Sequence, residues 1–149
     1  MSKKGQVPAE PDREPRSQSA ALPWRRNGDG EVEVLLITSR DTRRWVVPKG
    51  WPIKGLKSPQ TAAREAFEEA GVEGDIAKRK IGIFHYDKRL RSGRVQSVRV
   101  AVYPLKVDTE REAWPEVAQR EKLWTSPAAA AELVQEPELA SLLRAFAPK

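Results

Sequence analysis

The stretch SPQTAAREAFEEAG, residues 58–71, constrains this chain more than any other. It carries its own start and stop signals. Ser58 is a capping residue type, and Pro59 suits the first helical position, where its missing N–H costs nothing. Gly71 suits the left-handed residue that closes a helix. Between them stand alanines and straight-chain residues, all good helix formers. On a helical wheel Ala62, Ala63, Ala66, Phe67 and Ala70 gather on one side, where they can pack on a sheet. Glu65, Glu68 and Glu69 gather on the other and face solvent, because offsets of three and four bring side chains together.

That crowding is unfavourable on local grounds. Like charges at these offsets repel by a few tenths of a kcal/mol per pair, on the order of the gain from an opposite-charge pair. The glutamates also sit in the C-terminal half, where the helix dipole disfavours anions. A bound cation reverses the sign of both penalties. Carboxylate oxygens are hard ligands, suited to Mg²⁺ or Mn²⁺. The spacing alone is also that of a plain solvated acidic face. The loop before the helix adds weight to the cation reading. It is rich in glycine and carries Lys49, Lys54 and Lys57, and lysines near free backbone N–H groups are what a phosphate chain needs. A carboxylate cluster beside a cationic loop is the layout for metal-assisted attack of water on a phosphoanhydride.

The rest of the chain supplies the sheet. SAALPW reads as a short strand from Ser19, NGDG at 27–30 as a turn, and EVEVLLITS as a strand that enters a core. RRWVVP is a short strand stopped by Pro48. DIAKRKIGIFHYDKR and RVQSVRVAVYPLKV read as two strands around a turn at Ser92-Gly93, and EKLWTS as a short strand. Pro127–Val134 and Pro137–Phe146 read as two helices. The order predicts an α+β fold, a sandwich with helices flanking a sheet. Residues 1–17 are rich in Pro, Ser, Gln and charge and are expected to form a disordered tail. Residues 18–149 are expected to form one domain.

Composition narrows the classes. The 149 residues include no cysteine, which excludes disulfides and thiolate metal sites, and they carry a net charge of +6. The positive balance favours polyanionic partners. No apolar run approaches the ~20 residues of a membrane span. A cytoplasmic protein without membrane attachment is expected. Nothing looks like a nucleic-acid docking motif, so a nucleic-acid partner is not expected.

Residues 50–72, GWPIKGLKSPQTAAREAFEEAGV, resemble the Nudix box. The box pattern is Gly, five residues, Glu, seven residues, Arg-Glu, an apolar residue, any residue, Glu-Glu, any residue, Gly and an apolar residue. Gly50, Arg64, Glu65, Ala66, Glu68, Glu69, Gly71 and Val72 match it. Leu56 stands where the pattern has its first Glu. The resemblance spans residues 19–146 and implies a Nudix-type α/β/α sandwich with a mixed central sheet. It implies a metal-dependent hydrolase of phosphoanhydrides. Glu68 and Glu69 would bind Mg²⁺ or Mn²⁺, Glu65 would be a ligand or help activate water, and the carbonyl of Gly50 would complete the coordination. Arg64 and Gly71 would be structural. With Leu56 lacking a carboxylate, Glu121 in REKLW is the candidate replacement ligand, set against an ordinary surface charge before a strand.

RRWVVPKGW and GIFHYDKR are similar to the Nudix branch that hydrolyses diphosphoinositol polyphosphates and dinucleoside polyphosphates. Such a substrate would meet Arg40, Arg44, Lys49 and Lys54, with Trp51 as a stacking candidate. Lys88, Arg89, Arg91 and Arg94 form a second basic cluster, read equally as a solvated strand edge. His85 is read as structural. Nucleotide sugars or nucleoside triphosphates are the alternative substrates, and a non-catalytic phosphate-binding module is the alternative function. The expected partner is a polyphosphorylated small molecule. A homodimer is left open.

Overall fold

The computed structural model describes residues 16–149. The strand β1 covers Arg16–Arg26, β2 Val32–Thr38, β3 Trp45–Val46 and β4 Lys49–Gly50. Helix α1 is Ser58–Ala70. Then follow β5 (Val72–Ile76), β6 (Gly82–Arg89), β7 (Val95–Glu110) and β8 (Lys122–Thr125). Helices α2 (Pro127–Leu133) and α3 (Pro137–Ala145) end the fold.

The strands form one mixed sheet. β1 and β7 run parallel, in register from Arg16↔Val98 to Trp24↔Lys106. β2 joins the other edge of β1 antiparallel, and β3 and β8 both pair with β2. β7 is long enough to hold β6 with its first half and β5 with its second. β4 pairs with the start of β1, setting Ser19 opposite Gly50 and Ala20 opposite Lys49.

Alternation along the strands divides the core into two layers. Leu22, Trp24, Val34, Leu36, Phe84, Val98 and Val100 face the layer under α2 and α3, which contribute Ala130, Leu139 and Leu143. Ala21, Leu35, Ile37, Tyr103 and Leu105 face the layer under α1, met by Ala62, Ala66 and Ala70. The apolar run Val34–Ile37 is explained by this arrangement: both faces of β2 are covered, so every side chain is buried. The result is the α/β/α sandwich with a mixed sheet.

Several boundaries differ from the expectations. β1 begins at Arg16, so residues 16 and 17 belong to the sheet and not to a tail; residues 1–15 lie outside the described residues. The expected single strand over 75–89 is broken by a loop at 77–81, where a run of basic residues has no alternating apolar partner to bury. The N-cap of α1 is Lys57, with its N–H donating to Gln60 Oε1 at 2.9 Å. Ser58 lies one position inside the helix, and its hydroxyl bonds Ser19 of β1 instead, pinning the start of α1 to the sheet. Among the described residues no helix is long and apolar enough to cross a membrane.

Candidate active site

The site is built where the end of α1 meets β4. Gly71 closes α1 in the left-handed region, φ 69°, and its N–H donates to Phe67 O at 2.9 Å. A tryptophan braces this end: Trp114 lies over Gly71 and donates from Nε1 to Glu69 O at 3.2 Å.

The three glutamates of the helix do not share one environment. Glu69 is only 6% exposed, contrary to the expected solvent-facing position. The wheel explains it: Glu69 follows Ala62 by seven residues and Ala66 by three, so it lies on the border of the alanine stripe. Glu65 is half-buried and hydrogen-bonded to Glu69. Burial pushes both carboxyls up, Glu69 to about 8. A bond between two carboxyls needs a proton, which the pair shares. Glu68 is half-buried, and its negative charge adds to the rise at Glu65 without a hydrogen bond.

β4 supplies the opposite wall. The Lys49 N–H donates to Glu69 Oε1 at 3.3 Å. Gly50 leaves room for the Glu65 carboxyl: a Cβ there would fall 2.3 Å from its carboxyl carbon, so the carboxylate would have to move. The bare Cα is the space in which that carboxylate sits. The Lys49 ammonium lies 4.9 Å from the centre of the Tyr86 ring. Burial lowers its pKa to about 8, opposed by the charges of Glu69 and Glu136 and reinforced by those of Arg44 and Lys88.

Residues outside the box complete the site, and the sequence reading missed them. Arg120, its side chain 8% exposed, donates to Glu116 Oε1 at 2.7 Å and to Thr38 O at 3.1 Å, and stands 3.8 Å from Glu69 Oε1. The Glu116 N–H donates to Glu68 O at 3.1 Å, and its charge raises Glu65. Glu116, not Glu121, is thus the outside carboxylate beside the helix. Glu121 turns away: its side chain is 68% exposed and pairs with Arg43 at 3.0 Å. Arg43 takes a positive φ of 58° in the turn after β2, which aims its guanidinium at Glu121 and at Gln119 O. The one available signal for Glu116 and Arg120 was their four-residue spacing, a common surface pattern.

On the other side of β4, Arg44 donates to Glu136 Oε2 at 2.7 Å, and the Tyr86 hydroxyl donates to Gln18 Oε1 at 2.8 Å. Burial raises the Tyr86 phenol to about 12, so it stays a donor. Trp51 packs against the core with the Arg16 guanidinium 4.7 Å over its ring. Arg40 reaches Gln119 at 3.3 Å, away from the carboxylates, and Lys54 is exposed in the loop. Arg64 is exposed and makes no hydrogen bond or ion pair with a described residue. His85 bonds Glu138 at the surface. A cavity of about 550 Å³ between Trp24, Pro104 and Phe146 lies apart from all these groups.

The donor set can be tested against a divalent cation. Among the described residues, no three acidic or histidine side chains form a ready-made cage. What is present is a proton-sharing carboxylate pair, a third carboxylate at the position just before Glu69, and a glycine that leaves the pair room. All these donors are oxygen, and the charge repulsion that the proton relieves is the repulsion a cation would relieve. The residues fit a hard divalent ion.

A family model described as the NUDIX domain matches residues 15–146. The chain is 34% identical over 125 residues to "Nudix hydrolase 21, chloroplastic" of Arabidopsis thaliana, covering 83% of this chain and 61% of that protein. It is 34% identical over 99 residues to "Diphosphoinositol polyphosphate phosphohydrolase 2" of Rattus norvegicus, covering 66% of this chain and 50% of that protein. The chain thus spans between half and two thirds of these relatives' lengths. A solved Ap4A hydrolase of C. elegans superposes with a TM-score of 0.62 at 22% identity, over 88% of this chain and 95% of that one. With the box on the helix and loop just described, and the family model matching nearly the whole chain, this protein belongs to the Nudix family.

Proposed function

We propose that the chain hydrolyses a phosphoanhydride bond in a polyphosphorylated small molecule, a dinucleoside polyphosphate or a diphosphoinositol polyphosphate. The observation that carries this reading is the Glu65–Glu69 pair, desolvated and closed by Lys49 and Gly50. A protein gains nothing in stability by burying two carboxyls against each other, and perturbed pairs of this kind mark sites of chemistry. Glu65, Glu68 and Glu69 would hold Mg²⁺ or Mn²⁺, with the Gly50 carbonyl beside them. When bound, the cation would supply charge neutralisation at the phosphate oxygens and acidify the attacking water.

The chain's own residues do the rest. Loss of the shared proton frees both carboxylates as ligands. Glu116, held by Arg120, adds a further negative charge beside Glu65. Arg44 and Lys49 offer positive charge to the phosphate chain, and desolvation strengthens that attraction. Gly71 and Trp114 hold the last turn of α1, which carries Glu68 and Glu69, at a fixed height over β4. The names of the relatives, one a diphosphoinositol polyphosphate phosphohydrolase and one an Ap4A hydrolase, favour the same substrate classes.

The test is hydrolysis of a substrate panel with Mg²⁺, using wild type and Glu69→Gln. Turnover on at least one polyphosphate and a loss of about 10³ or more in Glu69→Gln are expected. Near-normal rates in Glu69→Gln would remove the carboxylate assignment. Failure to cleave any phosphoanhydride in the panel would remove the enzymatic reading.

A further inference from the structure

Glu136 is the N-cap of α3, yet its side chain does not bond the free N–H groups of its own helix. It turns instead toward the basic wall. Oε2 accepts from Arg44 at 2.7 Å. Oε1 is buried and has no hydrogen-bond partner, the only such side-chain atom among the described residues. The residue is 8% exposed. A buried carboxylate oxygen without a donor is costly, and native folds keep few of them. Its charge acts on Lys49 and Tyr86, and the Lys49 backbone in turn touches Glu69. Glu136 and the carboxylates of α1 thus share Lys49 as a common neighbour.

We propose that Glu136 selects the substrate: Oε1 accepts a hydrogen bond from an O–H or N–H of a nucleoside, and the site takes dinucleoside polyphosphates in preference to diphosphoinositol polyphosphates. This rests on the hydrolase reading above and narrows it. A fully phosphorylated inositol ring has no free hydroxyl. At neutral pH its phosphates are anionic and offer far more acceptors than donors. Facing Glu136 it would meet like charge and leave Oε1 unpaired. A nucleoside carries ribose hydroxyls, and adenine, guanine and cytosine also carry amino groups. Glu136 also offsets the charge of Arg44, which lowers the positive density that a crowd of phosphates would need. Sites built to hydrogen-bond a donor discriminate strongly against ligands that lack it.

The substitution Glu136→Gln isolates this role. Its amide oxygen can keep Arg44, and its NH₂ then stands where Oε1 stood, turning an acceptor into a donor. The experiment measures kcat and KM for diadenosine tetraphosphate and for a diphosphoinositol pentakisphosphate, with Mg²⁺, in wild type and variant. Wild type is expected to favour the dinucleotide. Glu136→Gln is expected to lose about tenfold in kcat/KM on the dinucleotide, mostly through KM, while the inositol substrate holds or improves. Equal losses on both substrates would show that Glu136 merely anchors Arg44 and would overturn the proposal. Wild-type preference for the inositol substrate would overturn it as well, and that arm stands even if the variant fails to fold. Cleavage of neither substrate would instead count against the hydrolase reading itself.

Discussion

Replacing Gly71 with alanine tests how the end of α1 is held. The backbone at Gly71 has φ 69° and ψ 24°. An L-residue pays about 1–2 kcal/mol in that region. The new Cβ would also fall 2.4 Å from Trp114 Cδ2 and Cε3, so the indole must leave its place. Its departure breaks the Nε1–H bond to Glu69 O, worth about 0.5–1.5 kcal/mol. It also removes the ring from Lys122, whose Nζ lies 4.6 Å away, a contact worth about 0.5–1 kcal/mol. The expected destabilisation is about 2–4.5 kcal/mol, a large part of the ~5–15 kcal/mol of a typical domain. Urea unfolding followed by far-ultraviolet circular dichroism measures it without relying on the perturbed indole. The same substitution in a Trp114→Ala background should cost only the backbone part, about 1–2 kcal/mol. Equal costs in the two backgrounds would refute the packing argument. A cost well under ~1 kcal/mol in the wild-type background would refute the left-handed assignment itself.

Three other perturbations probe the site. Gly50→Ala puts a methyl group where the Glu65 carboxyl now lies, and should weaken Mn²⁺ binding at least tenfold by titration calorimetry while the far-ultraviolet spectrum stays native. Arg120→Met removes the partner of Glu116 and a neighbour of Glu69, both shielded from water, and should destabilise the fold by about 3 kcal/mol in urea unfolding. In EDTA, thermal stability should pass through a minimum near pH 8. Glu69 is raised from 4.5 to about 8, so the folded chain keeps a proton that the unfolded chain releases, and stability falls as pH rises across that window. Lys49 is lowered from 10.5 to about 8, so above pH 8 the unfolded chain holds the extra proton and stability rises again. Melting temperatures measured from pH 5 to 10 check this, and saturating Mg²⁺ should flatten the descending limb.

The legible parts of the sequence were those whose signals are local. α1 announced itself through Pro59, the alanine stripe and Gly71, and β2 through an apolar run that only a two-sided core explains. β1 was read too short because Arg16, Ser17 and Gln18 give no apolar signal, although Gln18 is buried by its bond to Tyr86. Glu69 was misplaced because a wheel sorts residues into two sides, and a border position goes to whichever side its chemistry suggests. Glu116, Arg120 and Trp114 sit in a loop that local rules describe as polar and exposed. Their place beside the carboxylates comes from tertiary contacts with β2 and α1. Glu136 carries no distinguishing signal in the sequence, and only its unpaired Oε1 sets it apart.

The parallel pairing of β1 with β7 joins segments about eighty residues apart in sequence. Closing so long a loop costs chain entropy before any contact repays it, and pairings of this kind slow folding. A nascent chain that has not yet emerged past β7 has no seat for its own first strand along that edge. This strand must therefore wait for one about eighty residues downstream, and its Leu22 and Trp24 stay open to a chaperone until α2 and α3 form the layer over them.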